Sequence, residues 1–266
     1  MKLGIMQPYF FPYIGYWQLM NAVDKYVIAD DLNFIKNAWI NRNRILVNGE
    51  AKMFSLPLQG ASQNKLINEI EVTGDAASKN NLLKTIEINY KKAPYFSVAF
   101  PVIEKIIVQE EKNLAKFLEY SIREICTYLA INTELIVLSA INNNKDLKRQ
   151  DKVIDICKIL GSDEYYNAIG GQVLYTCKDF ASEGIALKFL QTADVKYKQY
   201  NNEFMPDLSI IDLMMFNSLE DIKKILEQYE LMQEMNNPEQ IEPSFRTVGA
   251  TVPDFQSQPS GLRATS

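Results

Sequence analysis

The pattern that sets the expected fold class lies in residues 3–34, LGIMQPYFFPYIGYWQLMNAVDKYVIADDLNF. Leu3 to Met6 is a short apolar run typical of a buried strand. The apolar positions from Trp17 to Val23 have the spacing of a helix, and Tyr26 to Ala29 predicts a second strand. A strand, a glycine-bearing turn, a helix and a second strand form a βαβ unit, which predicts an α/β fold with a Rossmann-like sheet.

Three polar residues directly follow these two strands. Gln7 follows the first, and Asp30 and Asp31 follow the second. Ligands gather at the carboxyl ends of the strands in such sheets, so we expect all three on one edge as candidate catalytic residues. Adjacent residues of an extended segment point apart, so only one aspartate is expected to face a ligand. The sequence leaves open which one, and a cap or loop role is the alternative for both.

The composition is that of a globular protein with a mildly acidic balance. Of 266 residues, 47% are hydrophobic, and the formal net charge of −5 argues against a DNA-coating protein. Cys126, Cys157 and Cys177 form no CxxC pair and are typical of reduced thiols in the cytosol. No apolar run reaches the roughly 20 residues of a membrane span, and the N-terminus has no signal-peptide pattern. A cytoplasmic protein without membrane insertion is therefore expected.

The chain contains no histidine, which excludes several kinds of catalytic site. Ser-His-Asp and Cys-His nucleophile systems and histidine-based metal sites are all ruled out. A Walker loop and a GxGxxG fingerprint are missing as well, so neither a metal nor a cofactor is predicted. Any proton transfer must use carboxylates, tyrosines, lysines, water or the substrate itself.

A basic β-hairpin is predicted after the βαβ unit. The Asn48-Gly49 pair between segments 44–47 and 52–58 is a strong hairpin signal. Side chains on and before the hairpin are candidates for binding the substrate and its phosphates: Lys36, Trp39, Asn41, Arg42 and Arg44. The alternative is a solvated hairpin with ordinary turn asparagines.

Further elements of both kinds are predicted along the rest of the chain. Helical periodicity over 79–92, 95–108 and 113–129 indicates a helical insert at about residues 76–130. Whether this insert is a lid or the surface of a homodimer is left open. The remaining predicted strands are 66–72, 134–138, 164–167, 186–190 and 197–200, and the remaining helices are 150–160, 178–183, a stretch from Pro206 and 219–232.

The composition changes near residue 234. The segment 234–266 contains four prolines and no hydrophobic periodicity, so it cannot bury enough surface to offset the entropy of ordering. We therefore expect one α/β domain over residues 1–233, followed by a disordered tail.

The turn Tyr13-Ile14-Gly15-Tyr16 is the most specific local feature. Its layout is similar to the His-x-Gly-His signature of nucleotidylyltransferases, in which the glycine lets a nucleotide approach the backbone. Here Tyr13 and Tyr16 replace both histidines, which favours nucleotide binding over adenylyl transfer by the usual route. A second glycine turn at a strand end, Gly170-Gly171, extends the candidate binding surface. The alternative for the first turn is packing at the start of a helix.

Several longer motifs, taken together, resemble the WbqC family of bacterial surface-polysaccharide gene clusters. They are IMQPYFFPYIGYWQL (5–19), DDLNFIK with WINRNRI (30–45), NYKKAPYF (89–96), IGGQVLY (169–175) and EFMPDLSIIDLMMFNS (203–218). The resemblance implies a role in O-antigen or capsule assembly. Some members are described as glycine transferases, which add an amino-acid unit to the amine of a nucleotide-linked amino sugar.

The resemblance also implies partners and residue roles. The partners would be a nucleotide-linked amino sugar and an activated donor such as glycyl-tRNA. Asp31 would anchor the amine or accept its proton, so that Asp31→Asn would abolish turnover, and Gln7 would hydrogen-bond the acyl or sugar group. Phosphates would be bound by Arg42 and Arg44, and base or sugar rings would stack on Tyr9, Tyr13 and Tyr16. Two alternatives stay open: an ATP-using enzyme of the nucleotidylyltransferase type and a non-catalytic sugar-nucleotide-binding protein.

Overall fold

A six-stranded, mostly parallel β-sheet forms the centre of the fold. The computed structural model describes residues 1–73, 75–200 and 203–233. The strands are β1 (Lys2–Met6), β2 (Lys25–Ile28), β3 (Arg42–Val47), β4 (Glu50–Ser55), β5 (Leu58–Gln59), β6 (Glu71–Val72), β7 (Glu134–Val137), β8 (Glu164–Ala168), β9 (Ala186–Thr192) and β10 (Tyr229–Met232). The helices are α1 (Ile14–Asn21), α2 (Ala76–Tyr90), α3 (Phe96–Val108), α4 (Leu114–Leu129), α5 (Arg149–Leu160), α6 (Cys177–Ser182), α7 (Ile210–Phe216) and α8 (Leu219–Leu226).

The strand order of the central sheet is β10-β9-β8-β1-β2-β7. Each pair is parallel except β9 with β10, which is antiparallel. From β1 the chain builds outwards through β2 to β7 and then returns to place β8 on the other side of β1. The order therefore reverses between β1 and β8, which is the topological switch point of the sheet. This is the Rossmann-like α/β architecture that the sequence predicts.

Helices cover both faces of the sheet. On one face, buried side chains of α5 and α6, such as Val153 and Phe180, pack with Leu3 of β1. On the other face, α1, the helical insert, α7 and α8 contribute to a larger cluster that contains Trp17 and Phe117. Because apolar layers cover both sides, the strand ends are where polar ligands can reach the sheet.

Short-range signals in the sequence account for several of these elements. The hairpin β3–β4 turns at Asn48 and Gly49, which have φ angles of 52° and 81°, as its Asn-Gly pair predicts. Helix α5 ends at Gly161, whose φ of 70° suits glycine. Ser209 caps α7, since its hydroxyl oxygen accepts a hydrogen bond from the N–H of Ile211 at 3.2 Å. Helices α2, α3 and α4 confirm the three helices predicted within the insert.

Three predicted elements differ from the structure. Residues 197–200 are not a strand: within the described residues their backbone is paired with none of the sheets, and Tyr197 and Gln199 hydrogen-bond to the carboxylate of Asp212 through their side chains. The predicted helix 219–232 ends at Leu226, and Tyr229–Met232 pairs with β9 instead. In a segment as short as Tyr229–Met232, the spacing of apolar residues does not distinguish a helix from a strand. In the predicted strand 66–72, residues 67–69 form a 3₁₀ turn, and the strand that forms is limited to Glu71–Val72.

Some predictions concern residues that the structure does not describe. The predicted tail, 234–266, and positions 201 and 202, which follow the predicted strand 197–200, lie outside the described residues. The assignment of residues 1–233 to one domain stays a prediction. In the ranges described, none of the helices is long and apolar enough to cross a membrane.

Candidate functional site

The main cleft lies at the carboxyl ends of β8 and β9, next to the switch point. It encloses about 500 Å³, a size typical of small-molecule sites. Its walls come from the turn before α1, the ends of β8 and β9, and the loop that leads into α7. Lining side chains and backbone include Tyr13, Gly15, Gly170, Thr192, Tyr197 and Asp207.

Gly15 lies where the turn before α1 meets the end of β9. A Cβ at this position would lie 2.6 Å from the hydroxyl oxygen of Tyr13 and 2.7 Å from Oγ1 of Thr192. Real Cβ atoms do not approach other heavy atoms so closely, so a larger residue would displace one of these side chains. Glycine at position 15 therefore sets the position of Tyr13 on the cleft wall.

The two tyrosines of this turn have different environments. Tyr13 lines the cleft, and its partial removal from water, with the negative charge of Asp207, raises the pKa of its hydroxyl to about 12. Tyr16 is buried and donates a hydrogen bond to the carbonyl oxygen of Gln7 at 3.1 Å. Burial raises the pKa of Tyr16 as well. Both phenols therefore stay neutral at physiological pH, and Tyr13 is the one that faces the main cleft.

A narrow, mostly apolar recess continues from the cleft beneath this turn. It shares several lining residues with the cleft and adds three aromatic rings: Tyr9, Tyr16 and Trp39. The rings of Tyr9 and Tyr16 pack with their centroids 5.6 Å apart. The structure thus brings together the three tyrosines and the tryptophan that the sequence proposes for substrate binding. Tyr9 and Tyr16 are buried and the recess holds only about 20 Å³, room for about one water molecule, so ring stacking on them stays a prediction.

The predicted basic side chains divide into two groups. Arg44 lies over the ring of Trp39 at 5.6 Å and donates a hydrogen bond to the carbonyl oxygen of Asp207 at 3.0 Å. It therefore borders the cleft and the recess. Arg42 instead donates its hydrogen bonds to Asn37, and the side-chain amide of Asn41 donates to Leu56.

Two more predicted binding residues lie away from the cleft wall. Lys36 is exposed and lines neither the cleft nor the recess. In the second glycine turn, Gly170 lines the cleft just after β8, whereas Gly171 is buried behind it. A contact from Lys36 or Gly171 to a ligand stays a prediction.

The predicted catalytic residues lie on the expected edge of the sheet but outside the cleft and the recess. The carboxylate of Asp30 accepts hydrogen bonds from the N–H of Ser139 at 2.8 Å and from its hydroxyl at 2.6 Å. It lines a separate cavity of about 270 Å³ beside β7. Asp31 forms ion pairs with Lys145 at 2.5 Å and Lys152 at 4.0 Å.

As candidate catalytic residues, Asp30 and Asp31 were expected beside the substrate-binding Tyr13–Gly15 turn, but they line neither the cleft nor the recess there. The physical reason is the strand order: β2, which carries them, lies on the opposite side of β1 from β8 and the cleft. Gln7 has no exposed surface, and its side-chain nitrogen donates to the carbonyl oxygen of Asn33 at 3.4 Å. Catalytic roles for these residues stay predictions.

Two residues that line the cleft, Thr192 and Asp207, were not predicted from the sequence. Thr192 is the last residue of β9, two positions beyond the predicted end of that strand. Asp207 lies in the loop before α7, where Pro206 and the capping residue Ser209 were the only local signals. Thr192 would be expected in a ligand site if strand β9 were predicted to end at this residue, because ligands bind at the carboxyl ends of parallel strands. No comparable rule points to Asp207.

Behind the cleft wall, a buried carboxylate holds Tyr197 in place. Asp212 has no exposed surface and accepts hydrogen bonds from the hydroxyls of Tyr90 at 2.8 Å and Tyr197 at 2.7 Å, and from Nε2 of Gln199 at 2.7 Å. Burial raises the pKa of Asp212, and the three hydrogen bonds oppose that rise. The helical insert, the cleft wall and α7 are thereby joined through one side chain.

Comparisons of the sequence with known proteins agree with its family motifs. The chain is 26% identical over 220 residues to "Uncharacterized protein Rv1507c" of Mycobacterium tuberculosis, in an alignment that covers 80% of this chain and 92% of that protein. No solved structure matches the chain. A sequence model described as the WbqC-like protein family matches residues 7–224, which include the Tyr13–Gly15 turn, the hairpin and Asp207. This chain belongs to the WbqC-like protein family.

Proposed function

We propose that this protein binds a nucleotide-linked amino sugar in the cleft and transfers a glycyl unit to the sugar amine. The donor would be an activated ester such as glycyl-tRNA, and the product would enter bacterial surface-polysaccharide assembly. The family resemblance suggests the reaction. The single observation that supports a ligand of this size is the cleft of about 500 Å³ at the switch point, with an aromatic recess beneath it.

The neutral side chains of the turn favour this reaction over adenylyl transfer from ATP. A histidine in the corresponding turn can carry positive charge towards a phosphate. Tyr13, with a pKa of about 12, and the buried Tyr16 stay uncharged phenols at physiological pH. They can stack on a base or donate a hydrogen bond, but they cannot supply a cationic group to a departing diphosphate.

Acyl transfer from an activated ester asks little of the protein beyond positioning. The ester already carries a good leaving group, so no covalent nucleophile is needed. Holding amine and ester in contact supplies the larger part of the rate, and a carboxylate that accepts a proton adds to it. In this proposal Tyr13 contacts the base or sugar from the cleft wall, and Arg44, which contacts Trp39 and Asp207, would bind a phosphate.

The proposal is tested by incubating the purified chain with a panel of nucleotide-linked 4-amino sugars and glycyl-tRNA, followed by mass spectrometry of the sugars. A mass gain of one glycyl unit supports it. A Gly15→Leu variant, which fills the space between Tyr13 and Thr192, serves as the control and is expected to give no product.

Two results would contradict the proposal. If the ligands bind but no sugar in the panel gains mass, the chain is a sugar-nucleotide-binding protein. If the chain consumes ATP in the presence of magnesium and releases diphosphate, it is an enzyme of the nucleotidylyltransferase type.

A further inference from the structure

We propose that Asp207 is the group in the cleft that binds the cationic amine of the substrate and accepts its proton during transfer. The amine-binding part stands independently of the reaction, whereas the proton-accepting part rests on the proposed acyl transfer. Asp207 lies within the EFMPDLSIIDLMMFNS motif (203–218), and its position in the cleft is what sets it apart there.

The position of Asp207 sets it apart from the other acidic residues. It lines both the cleft and the recess, and Tyr13 and Gly15 do the same. Among the described residues, the other carboxylate on the cleft wall is Asp194, which pairs with Lys196 at 2.7 Å. The carboxylate of Asp207 makes no hydrogen bond or ion pair within the described part of the chain. It is therefore available to a ligand.

The backbone at Asp207 is held in a conformation that few residues adopt. Its φ is +56°, in the left-handed region that costs an aspartate about 1 kcal/mol. Arg44 holds this loop from both sides of the turn. Its guanidinium donates to the carbonyl oxygen of Asp207 at 3.0 Å, and its own carbonyl oxygen accepts from the N–H of Ser209 at 2.9 Å. Strained backbone fixed by neighbouring contacts is a recurrent feature of ligand sites.

The carboxylate of Asp207 is the group on this part of the cleft wall that can attract a positively charged ligand, and Arg44 is its neighbouring cation. The protein atoms of the cleft wall keep enough water away to raise the pKa of the carboxyl, although much of the residue is accessible from the cleft. The charged and titratable groups facing it are Arg44 from the hairpin, which opposes the rise, and Tyr13 from the turn, which stays neutral. Arg44 donates its hydrogen bond to the backbone carbonyl oxygen of Asp207 and not to the side-chain carboxylate. A ligand ammonium can therefore approach the carboxylate.

The transfer step balances with Asp207 as the proton carrier. The bound ammonium first loses one proton to solvent water in the open cleft. The neutral amine that remains beside the Asp207 carboxylate attacks the carbonyl carbon of the glycyl ester, so that a C–N bond forms and the ester C–O bond breaks. The nitrogen loses one proton to the carboxylate of Asp207, and the departing ribose oxygen takes up that proton to become a hydroxyl. No oxidant, reductant or further reactant is needed.

The test compares two ligands that differ only at the amine: a nucleotide-linked 4-amino sugar and the same compound with a hydroxyl at that carbon. Isothermal titration calorimetry on the full chain is expected to show tighter binding of the amine by about tenfold. Asp207→Asn is expected to abolish this preference while changing the affinity for the hydroxyl compound less than about threefold. The exposed Glu104→Gln on α3 is the matched control and is expected to keep the preference.

A second measurement covers the case in which the variant does not fold. In the wild type, the preference for the amine is expected to vanish as the pH falls through the raised pKa of Asp207, because the protonated carboxyl no longer attracts a cation. A wild type without any preference for the amine, or an Asp207→Asn variant that keeps it, would overturn the proposal. If the preference behaves as expected but the wild type transfers no glycyl unit, amine binding stands and the proposed reaction fails.

Discussion

The ring of Tyr13 packs against Gly15 so closely that a methyl group at position 15 would lie 2.6 Å from the tyrosine hydroxyl oxygen. Tyr13 also lines the cleft, so the glycine controls where this ring stands. Helix α1 starts here, and the turn places both residues on the wall that a ligand must pass. Substitutions at these two positions therefore report on the cleft directly.

Gly15→Ala is expected to weaken the binding of a nucleotide-linked amino sugar by at least about tenfold. The new methyl displaces Tyr13 or Thr192, and small-to-large changes at packed positions typically cost about 1–3 kcal/mol. Titration calorimetry measures the affinity, and circular dichroism shows whether the fold is kept. Asn21→Ala, at the exposed end of the same helix, should bind like the wild type. Unchanged affinity in a folded Gly15→Ala protein would place the ligand elsewhere.

Arg44→Lys is expected to reduce ligand affinity about threefold or more, although the charge is kept. Lysine lacks the planar guanidinium that lies over Trp39 and reaches the carbonyl oxygen of Asp207. The loop before α7 should then lose its fixed conformation. Lys52→Arg on the same hairpin is the control, because Lys52 is exposed and pairs only with Glu50 at 2.5 Å among the described residues. Equal affinities for both variants would show that Arg44 does not shape the site.

Asp212→Ala is expected to lower the free energy of unfolding by about 3 kcal/mol. The change leaves the hydroxyls of Tyr90 and Tyr197 and the amide of Gln199 without their common acceptor in a buried place. Urea denaturation followed by fluorescence measures the change. Asp221→Ala, an exposed acid in the first turn of α8, should cost about 1 kcal/mol or less. A loss for Asp212→Ala no larger than that of Asp221→Ala would contradict the assigned network.

The charged form of Lys152 lowers the free energy of unfolding, and this effect depends on pH. Burial lowers its pKa, with the charge of Asp31 opposing and that of Lys145 adding to the shift. A lysine whose folded pKa is lowered binds fewer protons in the fold, so its contribution to stability rises with pH between the folded value and the ordinary value of about 10.4. Relative to Lys152→Met, the wild type is therefore expected to gain unfolding free energy from pH 7 to pH 10. A pH-independent difference in urea denaturation would contradict this.

Local features of the fold followed from the sequence because they depend on a few neighbouring residues. The Asn48-Gly49 turn, the glycine stop after α5 and the serine cap of α7 each have a short-range cause. The helical insert was predictable for the same reason, since its apolar residues recur at helical spacing over long segments.

The site was only partly predictable because it depends on strand order. The residues at the ends of β1 and β2 were expected to form it, and they do share an edge. The packing of segments that are distant in sequence decides on which side of β1 strand β8 lies. Because β8 lies on the side opposite β2, the cleft forms away from Asp30 and Asp31. Asp207 was not predicted because its position depends on a loop that Arg44 holds. That contact joins residues more than 160 positions apart in the chain.

The most direct test of whether the substrate binds in the cleft is a crystal structure determined from crystals of the chain that have been soaked with a nucleotide-linked 4-amino sugar. We expect the ligand in the cleft between the Tyr13–Gly15 turn and Gly170, with its amine at hydrogen-bond distance, about 3 Å, from the Asp207 carboxylate. A ligand bound instead in the cavity beside Asp30, with the cleft empty, would contradict this expectation.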